Sequence, residues 1–373
     1  MNIKSIKVKP VVTPILRGRI HGQGDSKRYV FVLLETDCGN SFSEIYCGSY
    51  DFRAVELIIS NIAEKLTNTE VCLKDVYQNF LHKPFVSGAG IHQTVISSIY
   101  NCILLIDRTW TSNLALGKVS TKVYLSGGTV KSSIAEMAEE IDFATSCGLT
   151  DYKVRLDYRD SERCVERIKF LNQQPVNYAI DLIVNTNHLQ RQSLQLREIL
   201  EHVDLDKLLW LEEPVFPTEP SDWEETLSIC KNYRVTVALG ESLNSNLEME
   251  FILNHPSIDM IQIDSTHCSD LWRLMQFQAR VLSANKVLGY HNWGSYITLL
   301  LNGVLNEVSG QGFFEVPFYQ TDFDKQVIKK LDCTLEHLWL PSGSFNDFDV
   351  IRESIFELID GQLDKSYQDF SWK

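Results

Sequence analysis

Apolar and polar residues alternate along the first 50 residues in the way that is typical of β-strands. The segment IKSIKVKPVV alternates, YVFVLLETD is a continuous apolar run, and the turn sequence DCGN separates that run from SFSEIYCG. This pattern predicts a three-stranded antiparallel meander. Residues 51–83 and 91–116 change to helical periodicity and are separated by the small-residue loop VSGAG. Up to about residue 116, the pattern therefore predicts an α+β module.

From about residue 120, short apolar runs alternate with amphipathic helical stretches. The runs are TKVYLSGG, DYKVRLDY, NYAIDLIVN, KLLWLEEP, VTVALGES, DMIQID, KVLGYHN and FFEVP, and each except the last is followed by a helical stretch. Repeated βα units predict a parallel sheet, and seven or eight of them predict closure into a barrel. The expected fold class is therefore α/β, with a (β/α)7β TIM-like barrel.

Composition and charge narrow the range of partners. The chain has 35 basic and 49 acidic residues, a formal net charge of -14, which repels nucleic-acid backbones and anionic membrane surfaces. Nine cysteines are scattered without a CxxC pair, no apolar run approaches the ~18 residues of a membrane span, and the N-terminus lacks an apolar signal core. We therefore expect a cytoplasmic protein that binds neither nucleic acid nor membrane.

Polar residues follow the predicted barrel strands at the points where those strands end. One such residue belongs to each of seven strands, about one βα unit apart: Lys153, Asn185, Glu212, Glu241, Asp264, His291 and Glu315. Taken singly, each would more often be a surface charge or a strand-end residue. Because the C-terminal ends of barrel strands carry the active site, the ordered set predicts one shared pocket.

Three members of this set, from successive strands, predict a metal site. The carboxylates of Glu212 and Glu241 and the amide of Asn185 suit a hard cation such as Mg²⁺. Asp181 lies four residues before Asn185 on the same strand face. The ordinary rise of a strand would place it about 13 Å lower, too deep to take the place of Asn185.

Two further pairs of polar residues are predicted to lie close together in the barrel. Lys153 and Arg155 lie two residues apart on one strand and therefore share its inward face. Asp264 and His291 come from adjacent strands, the arrangement in which a carboxylate orients an acid/base histidine.

Seven short motifs, in order and at the right spacing, resemble the enolase superfamily. They are YKVRL, VNTN, LWLEEP, ALGES, IQID, GYHNW and GFFEVP, on the second to the eighth strand. Within the superfamily, the chain resembles the mandelate racemase-like subgroup (the mandelate racemase/muconate lactonizing enzyme family), with its acid sugar dehydratases. The resemblance implies an N-terminal α+β capping domain over residues 1–118, with residues from about 335 to 373 packing back on it. The catalytic barrel would then span residues 119–334.

The resemblance also implies a reaction and a role for each candidate residue. The reaction is abstraction of the proton α to a carboxylate in a small-molecule substrate, with Mg²⁺ as cofactor, in a homo-oligomeric enzyme. His291, oriented by Asp264, would move the proton. The implied residues are Lys153, Arg155, Asp264, His291 and Glu315 for catalysis; Asn185, Glu212 and Glu241 for the metal; and Asn187, His21 and Tyr46 for substrate, with packing as the alternative role of Tyr46.

Two departures from the family pattern bear on the activity. Asn185 stands where the family usually has aspartate, which removes a negative charge from the metal site. Arg155 replaces the lysine that serves racemases as a second base, and arginine does not readily give up a proton. One-base dehydration of a sugar acid to a 2-keto-3-deoxy acid is therefore favoured. The alternatives are a racemase or epimerase, and a diverged barrel with a weakened metal site that acts as a binding protein.

Overall fold

The computed structural model describes residues 1–20, 24–46, 52–72, 76, 90–107, 122–182, 189–215, 223–243, 245–331 and 348–362. The strands are β1 (Ile3–Arg17), β2 (Ser26–Thr36), β3 (Asn40–Ile45), β4 (Lys122–Ser126), β5 (Asp151–Arg155), β6 (Asn177–Asp181), β7 (Leu208–Glu212), β8 (Val237–Leu239), β9 (Met260–Ile263), β10 (Val287–Tyr290), β11 (Phe313–Pro317) and β12 (Gln320–Thr321). The helices are α1 (Phe52–Leu66), α2 (Gly90–Leu104), α3 (Ile134–Ser146), α4 (Ser161–Asn172), α5 (Leu189–Leu200), α6 (Trp223–Tyr233), α7 (Asn246–Asn254), α8 (Leu271–Ser283), α9 (Tyr296–Ser309), α10 (Asp322–Lys330) and α11 (Phe348–Asp360).

Strands β4 to β11 form a closed parallel barrel in chain order, with β11 paired to β4. Helices α3 to α9 connect them one by one, so the predicted (β/α)7β barrel is confirmed. Large side chains such as Tyr124 and Trp210 fill the barrel interior and are almost completely buried. The expectation that no helix follows the last barrel strand is wrong. α10 follows β11 after the two-residue strand β12 and buries Phe323 and Val327.

The N-terminal sheet is the predicted antiparallel meander of β1, β2 and β3, with one strand added. β12 pairs with the far end of β1, where Ile15 faces Thr321. A two-residue strand is too short to show alternation, which is why the sequence pattern does not predict it. No described helix combines the length and the apolarity that a membrane span requires.

Helix α11 packs against β3 of this sheet. The Glu353 carboxylate accepts hydrogen bonds from the backbone N–H and the side-chain amide of Asn40, at 2.8 and 3.0 Å. Both predicted domain boundaries, at 118/119 and near 335, fall outside the described residues. The division into domains therefore stays a prediction.

A buried carboxylate of the N-terminal sheet caps barrel helix α9. Glu44 on β3 accepts hydrogen bonds from the backbone N–H of Ser295 (2.9 Å), the Ser295 hydroxyl (2.6 Å) and the Thr298 hydroxyl (2.7 Å). Burial raises the pKa of Glu44 to about 7. Beside it, Lys27 on β2 donates to the Trp293 carbonyl, and burial lowers the pKa of this lysine to about 7. These contacts hold the sheet over the segment that follows β10.

Replacing Glu44 with leucine is expected to lower the free energy of unfolding by about 3 kcal/mol, because the buried donors of Ser295 and Thr298 lose their acceptor. Urea denaturation measures the loss. Glu35→Leu is the control, since Glu35 forms an exposed pair with Lys7 (2.7 Å) worth less than about 1 kcal/mol. Equal losses in the two variants would contradict a capping role for Glu44.

Candidate active site

The six described members of the predicted polar set are all buried, with at most 6% of their surface exposed. They are Lys153, Glu212, Glu241, Asp264, His291 and Glu315. Glu212 closes β7, Asp264 and His291 directly follow β9 and β10, and Glu315 lies inside β11 rather than at its end. Each charged side chain of the set lies within 4.0 Å of another member. The structure therefore brings the six together in one place, as the strand order predicts.

Lys153 forms the positively charged centre of the site. Its Nζ lies 2.5 Å from Glu212 Oε1 and 2.8 Å from Glu315 Oε1. Burial alone would lower the pKa of Lys153, but the two carboxylates raise it above its ordinary value. Burial alone would raise the pKa of Glu212 and Glu315, but the ammonium holds the pKa of Glu212 at about 2 and lowers the pKa of Glu315. The lysine is therefore a fixed positive charge.

The second oxygen of Glu212 is held by two groups that the sequence did not single out. Glu212 Oε2 accepts hydrogen bonds from Trp210 Nε1 at 3.0 Å and from Gln262 Nε2 at 2.8 Å. Gln262 is completely buried in the middle of β9. A polar residue within the short apolar run MIQI is the signal that could have identified it.

Asp264 and His291 form the predicted carboxylate–histidine pair. His291 Nδ1 lies 2.8 Å from Asp264 Oδ2, and Asp264 Oδ1 accepts from the backbone N–H (2.8 Å) and hydroxyl (2.7 Å) of Thr266. Despite burial, these bonds lower the pKa of Asp264, while Glu315 and Asp264 raise that of His291. A carboxylate only accepts, so Nδ1 carries a proton. Nε2 is the nitrogen left to exchange one.

Nε2 of His291 faces the other acidic side chains of the site. It lies 3.3 Å from Glu241 Oε2 and 4.0 Å from Glu315 Oε2. Within the described residues, Glu241 Oε2 accepts no hydrogen bond. Burial and the nearby charges of Glu212 and Asp181 raise the pKa of Glu241 well above its ordinary value. The oxygen is therefore placed for a positive partner.

The β6 strand ends at Asp181, which is in register with Arg155 on one side and Glu212 on the other. The expectation that Asp181 lies too deep is wrong. It assumed that the strand continues to Asn185, whereas β6 has five residues, as do β5 and β7. Arg155 Nε lies 2.8 Å from Asp181 Oδ2, and this charge raises the pKa of Arg155 against the effect of burial.

Asn185 itself lies outside the described residues, so its assignment as a metal ligand stays a prediction. Asp181, at the end of β6, is in register with Glu212 at the end of β7, so β6 already supplies a carboxylate at this level of the barrel. The charged residue at the fifth position of the run NYAIDLIVN is the signal that could have favoured Asp181 from sequence.

The backbone around Glu241 is tightly constrained. Gly240 has φ +136°, and a Cβ at that position would lie 2.3 Å from the Gln262 carbonyl oxygen, so no other residue fits there. Glu213, whose pKa burial raises to about 7, accepts hydrogen bonds from Gly240 N at 2.9 Å and from the Ser242 hydroxyl at 2.8 Å. These contacts fix the course of the backbone between the end of β8 and Glu241.

The donor set fits a hard cation in its chemistry. Asp181, Glu212 and Glu241 are buried carboxylates from successive strands, and their mutual repulsion is what a divalent cation relieves. As placed, no three His, Cys, Asp or Glu side chains of the described residues are grouped closely enough to hold a metal ion. Lys153 and Arg155 engage two of these carboxylates instead. Cation binding therefore requires the carboxylates to turn away from these two partners.

The predicted substrate contacts are described only in part. Tyr46, 38% exposed just after β3, donates its backbone N–H to the Thr266 carbonyl at 3.4 Å, and its ring lies edge-on to His267 at 4.4 Å. This places Tyr46 beside the loop that follows Asp264. His21 and Asn187 lie outside the described residues. Their assignment, like any substrate contact by Tyr46, stays a prediction.

Trp293 is a further site residue that the sequence did not single out. The Arg155 guanidinium carbon lies 5.4 Å from the centre of the Trp293 ring. An aromatic residue two positions after His291, in the motif GYHNW, is the signal that could have identified it. Its ring therefore lies beside one of the charged side chains of the site.

Residues 136–331, more than half of the chain, match the family described as Enolase C-terminal domain-like. The matched segment runs from α3 to the end of α10 and contains every described residue of the polar set. It therefore covers the barrel from its second strand onward, together with β12, and leaves out β4 and the strands β1 to β3.

Solved structures of the same architecture match nearly the whole chain. The 3,6-anhydro-D-galactonate cycloisomerase from Zobellia galactanivorans is similar over 88% of this chain and 90% of its own, with a TM-score of 0.68 and 17% identity. A racemase from Streptomyces coelicolor with bound magnesium is similar over 84% and 89%, with a TM-score of 0.68 and 16% identity. An enolase from Bradyrhizobium complexed with magnesium and mandelic acid is similar over 84% and 87%, with a TM-score of 0.67 and 14% identity. At such identities the likeness concerns the fold.

Proposed function

Because the chain belongs to the enolase C-terminal domain-like family, we propose that it abstracts the proton α to a carboxylate. Its substrate would be a sugar acid, which it dehydrates to a 2-keto-3-deoxy acid. The observation that carries the proposal is the buried Asp264–His291 pair, in which His291 Nε2 faces Glu241 and Glu315. A small-molecule carboxylate as partner and association into a homo-oligomer remain predictions.

Substrate binding in this proposal depends on positive charge at the base of the pocket. The ammonium of Lys153 is protonated and buried, so it can pair with a substrate carboxylate without a large desolvation cost of its own. Asp181, Glu212 and Glu241 would hold Mg²⁺. When bound, Mg²⁺ would supply the positive charge that stabilises the charge developing on the substrate carboxylate.

Proton transfer in this proposal uses the two nitrogens of His291 in different ways. Nδ1 stays hydrogen-bonded to Asp264, which fixes the plane of the ring. Nε2 removes the proton from C2, the carbon next to the carboxylate, and the electron pair of that C–H bond forms a double bond between C2 and C3. The hydroxyl on C3 leaves as water with the proton from Nε2, and the resulting enol converts to the 2-keto acid.

The enzyme is expected to exchange the α-proton of only one configuration, because Arg155 cannot readily act as a base opposite His291. In D₂O with Mg²⁺, deuterium should enter or product should form from one member of a C2-epimeric pair such as gluconate and mannonate. Proton NMR of the recovered acids measures both. Exchange in both epimers would instead favour a racemase or epimerase.

The experiment that tests the proposed function is a screen of aldonic and aldaric acids with the full chain and saturating Mg²⁺. Formation of a keto acid is followed colorimetrically, and solvent deuterium at the α-carbon by NMR. At least one acid is expected to give a keto product. If no acid gives product and none exchanges its α-proton, the proposed function is wrong.

A binding protein without catalysis is the second candidate. It is favoured by the ion pairs of Lys153 with Glu212 and of Arg155 with Asp181, which already neutralise two carboxylates of the proposed metal site. Titration calorimetry separates the two candidates. Binding of a small acid without any binding of Mg²⁺ would favour this second one.

A further inference from the structure

Asn302 on α9 is a fully buried asparagine whose amide bonds to neighbouring loops rather than to its own helix. Its Oδ1 accepts from the backbone N–H of Ser265 at 3.0 Å. Its Nδ2 donates to the carbonyl of His291 and to Oδ1 of Asn292, both at 2.8 Å. All three partners lie just past the ends of β9 and β10. The side chain therefore joins the ends of β9 and β10, which also share the backbone hydrogen bond from His291 N–H to the Ile263 carbonyl at 2.9 Å.

The two strand ends joined by Asn302 carry the acid/base pair. Ser265 directly follows Asp264, and the His291 carbonyl belongs to the histidine itself. The bond of 2.8 Å between Asp264 and His291 depends on the relative placement of these segments. Because hydrogen bonds weaken steeply with misalignment, a displacement of about 1 Å would lose most of the bond.

The same network reaches a third barrel strand. Asn292 donates its backbone N–H to Glu315 Oε2 at 3.2 Å and its side-chain amide to the Glu315 carbonyl at 2.6 Å. Since Asn302 donates to Asn292 Oδ1, it also orients this residue. The amide of Asn302 thus links the ends of β9 and β10 to the side chain that faces His291 Nε2.

The Ser265 peptide is held from its other side by the N-terminal module. Asn101 on α2 donates to the Ser265 carbonyl at 3.5 Å and accepts from the backbone N–H of Leu271 at 2.8 Å, at the start of α8. The segment after Asp264 is therefore fixed between two buried asparagines. Of the two, only Asn302 also contacts His291.

We propose that Asn302 is a positioning residue that sets the Asp264–His291 hydrogen bond and, through it, the direction of Nε2. The proposal rests on the proposed function, since it takes this pair as the acid/base group. A purely structural role predicts a loss of stability alone. A positioning role predicts a change at the His291 Nδ1 proton even in variants that remain folded.

The experiment records NMR spectra of the full chain labelled with ¹⁵N-histidine, without substrate or metal. The Nδ1 proton resonance of His291 is assigned by its disappearance in His291→Asn. In Asn302→Leu this resonance is expected to disappear or to shift upfield, because His291 and Ser265 lose their buried partner. Asn302→Ser is measured alongside in case the leucine variant does not fold. Its smaller side chain leaves room for water, which can bond to the buried polar groups.

Asn306→Leu is the matched control. Asn306 lies one turn further along α9, is also fully buried, and donates to the Gln311 carbonyl at 3.4 Å, away from the pair. The Asn306→Leu variant should lose a comparable amount of thermal stability and leave the His291 resonance unchanged. An unchanged resonance in a folded Asn302 variant, or an equal change in Asn306→Leu, would overturn the proposal.

The spectra need no substrate, so they are independent of the proposed function. If no acid loses its α-proton while the resonance still depends on Asn302, the proposed function fails and the positioning contact stands. With a substrate in hand, Asn302→Ser should lower kcat about tenfold and change KM less than about threefold. A change confined to KM would overturn the proposal.

Discussion

His291→Asn is expected to lower kcat/KM for removal of the α-proton by about a thousandfold, because the variant lacks the only nitrogen placed to exchange a proton in the proposed mechanism. His291 Nε2 lies 3.3 Å from Glu241 Oε2 and 4.0 Å from Glu315 Oε2, while the other ring nitrogen, Nδ1, is bonded to Asp264. Deuterium incorporation and keto-acid formation measure the loss. Circular dichroism checks that the fold is retained.

His267→Asn is the matched control for this substitution. His267 also lies next to Glu241, but its Nδ1 contacts the backbone carbonyl of that residue, and burial lowers its pKa. The Asp264 carboxylate bonds to the ring of His291 and not to that of His267, so the loss should stay within about tenfold. If the two histidine variants lost activity equally, or if His291→Asn stayed active, His291 would not be the base.

Asp181→Asn is expected to weaken Mg²⁺ binding by about a hundredfold, whereas Asn185→Ala should change it by less than about threefold. The reason is register: Asp181 ends β6 in the layer of Glu212, and its buried carboxylate contributes to the repulsion that raises the pKa of Glu241. Removing one of three negative charges lowers the attraction for a divalent cation. Titration calorimetry with Mg²⁺ measures the affinity of each variant.

Glu212→Gln serves as the positive control, since the sequence predicts Glu212 as a metal ligand and the proposal keeps it in that role. It should weaken binding at least as much as Asp181→Asn. The reverse result, with Asn185→Ala weakening binding and Asp181→Asn leaving it intact, would restore the ligand expected from the sequence. It would also mean that Arg155, which lies 2.8 Å from Asp181, is the partner that this carboxylate keeps.

The prediction of the barrel succeeded because its signal is repeated along the chain. Each βα unit contributes an apolar run of three to five residues followed by a helix, and eight such runs leave little freedom in topology. The two elements that follow the last barrel strand were missed. β12 has two residues, and the helix after it, α10, was not expected.

The sequence predicted the spatial arrangement of the polar set correctly where a polar residue follows directly on a strand. Asp264 and His291 were paired correctly because each is the first residue after β9 and β10. The prediction failed for Asp181 because the apolar run NYAIDLIVN continues past the point where β6 ends. Apolar content alone cannot place the end of a strand; the pairing of Asp181 with Arg155 and Glu212 does.

By itself, the amino-acid sequence determined the barrel, the order of its strands and the chemical types of the side chains at their C-terminal ends, since these depend on local periodicity repeated in each unit. Only the tertiary structure decided which oxygen faces which donor, that Asp181 shares a layer with Glu212, and that Asn302 reaches Ser265 across 37 residues of chain. The physical reason is that a hydrogen bond is decided by fractions of an ångström between segments distant in sequence. Periodicity specifies which face of an element is buried, and not its register against a neighbour.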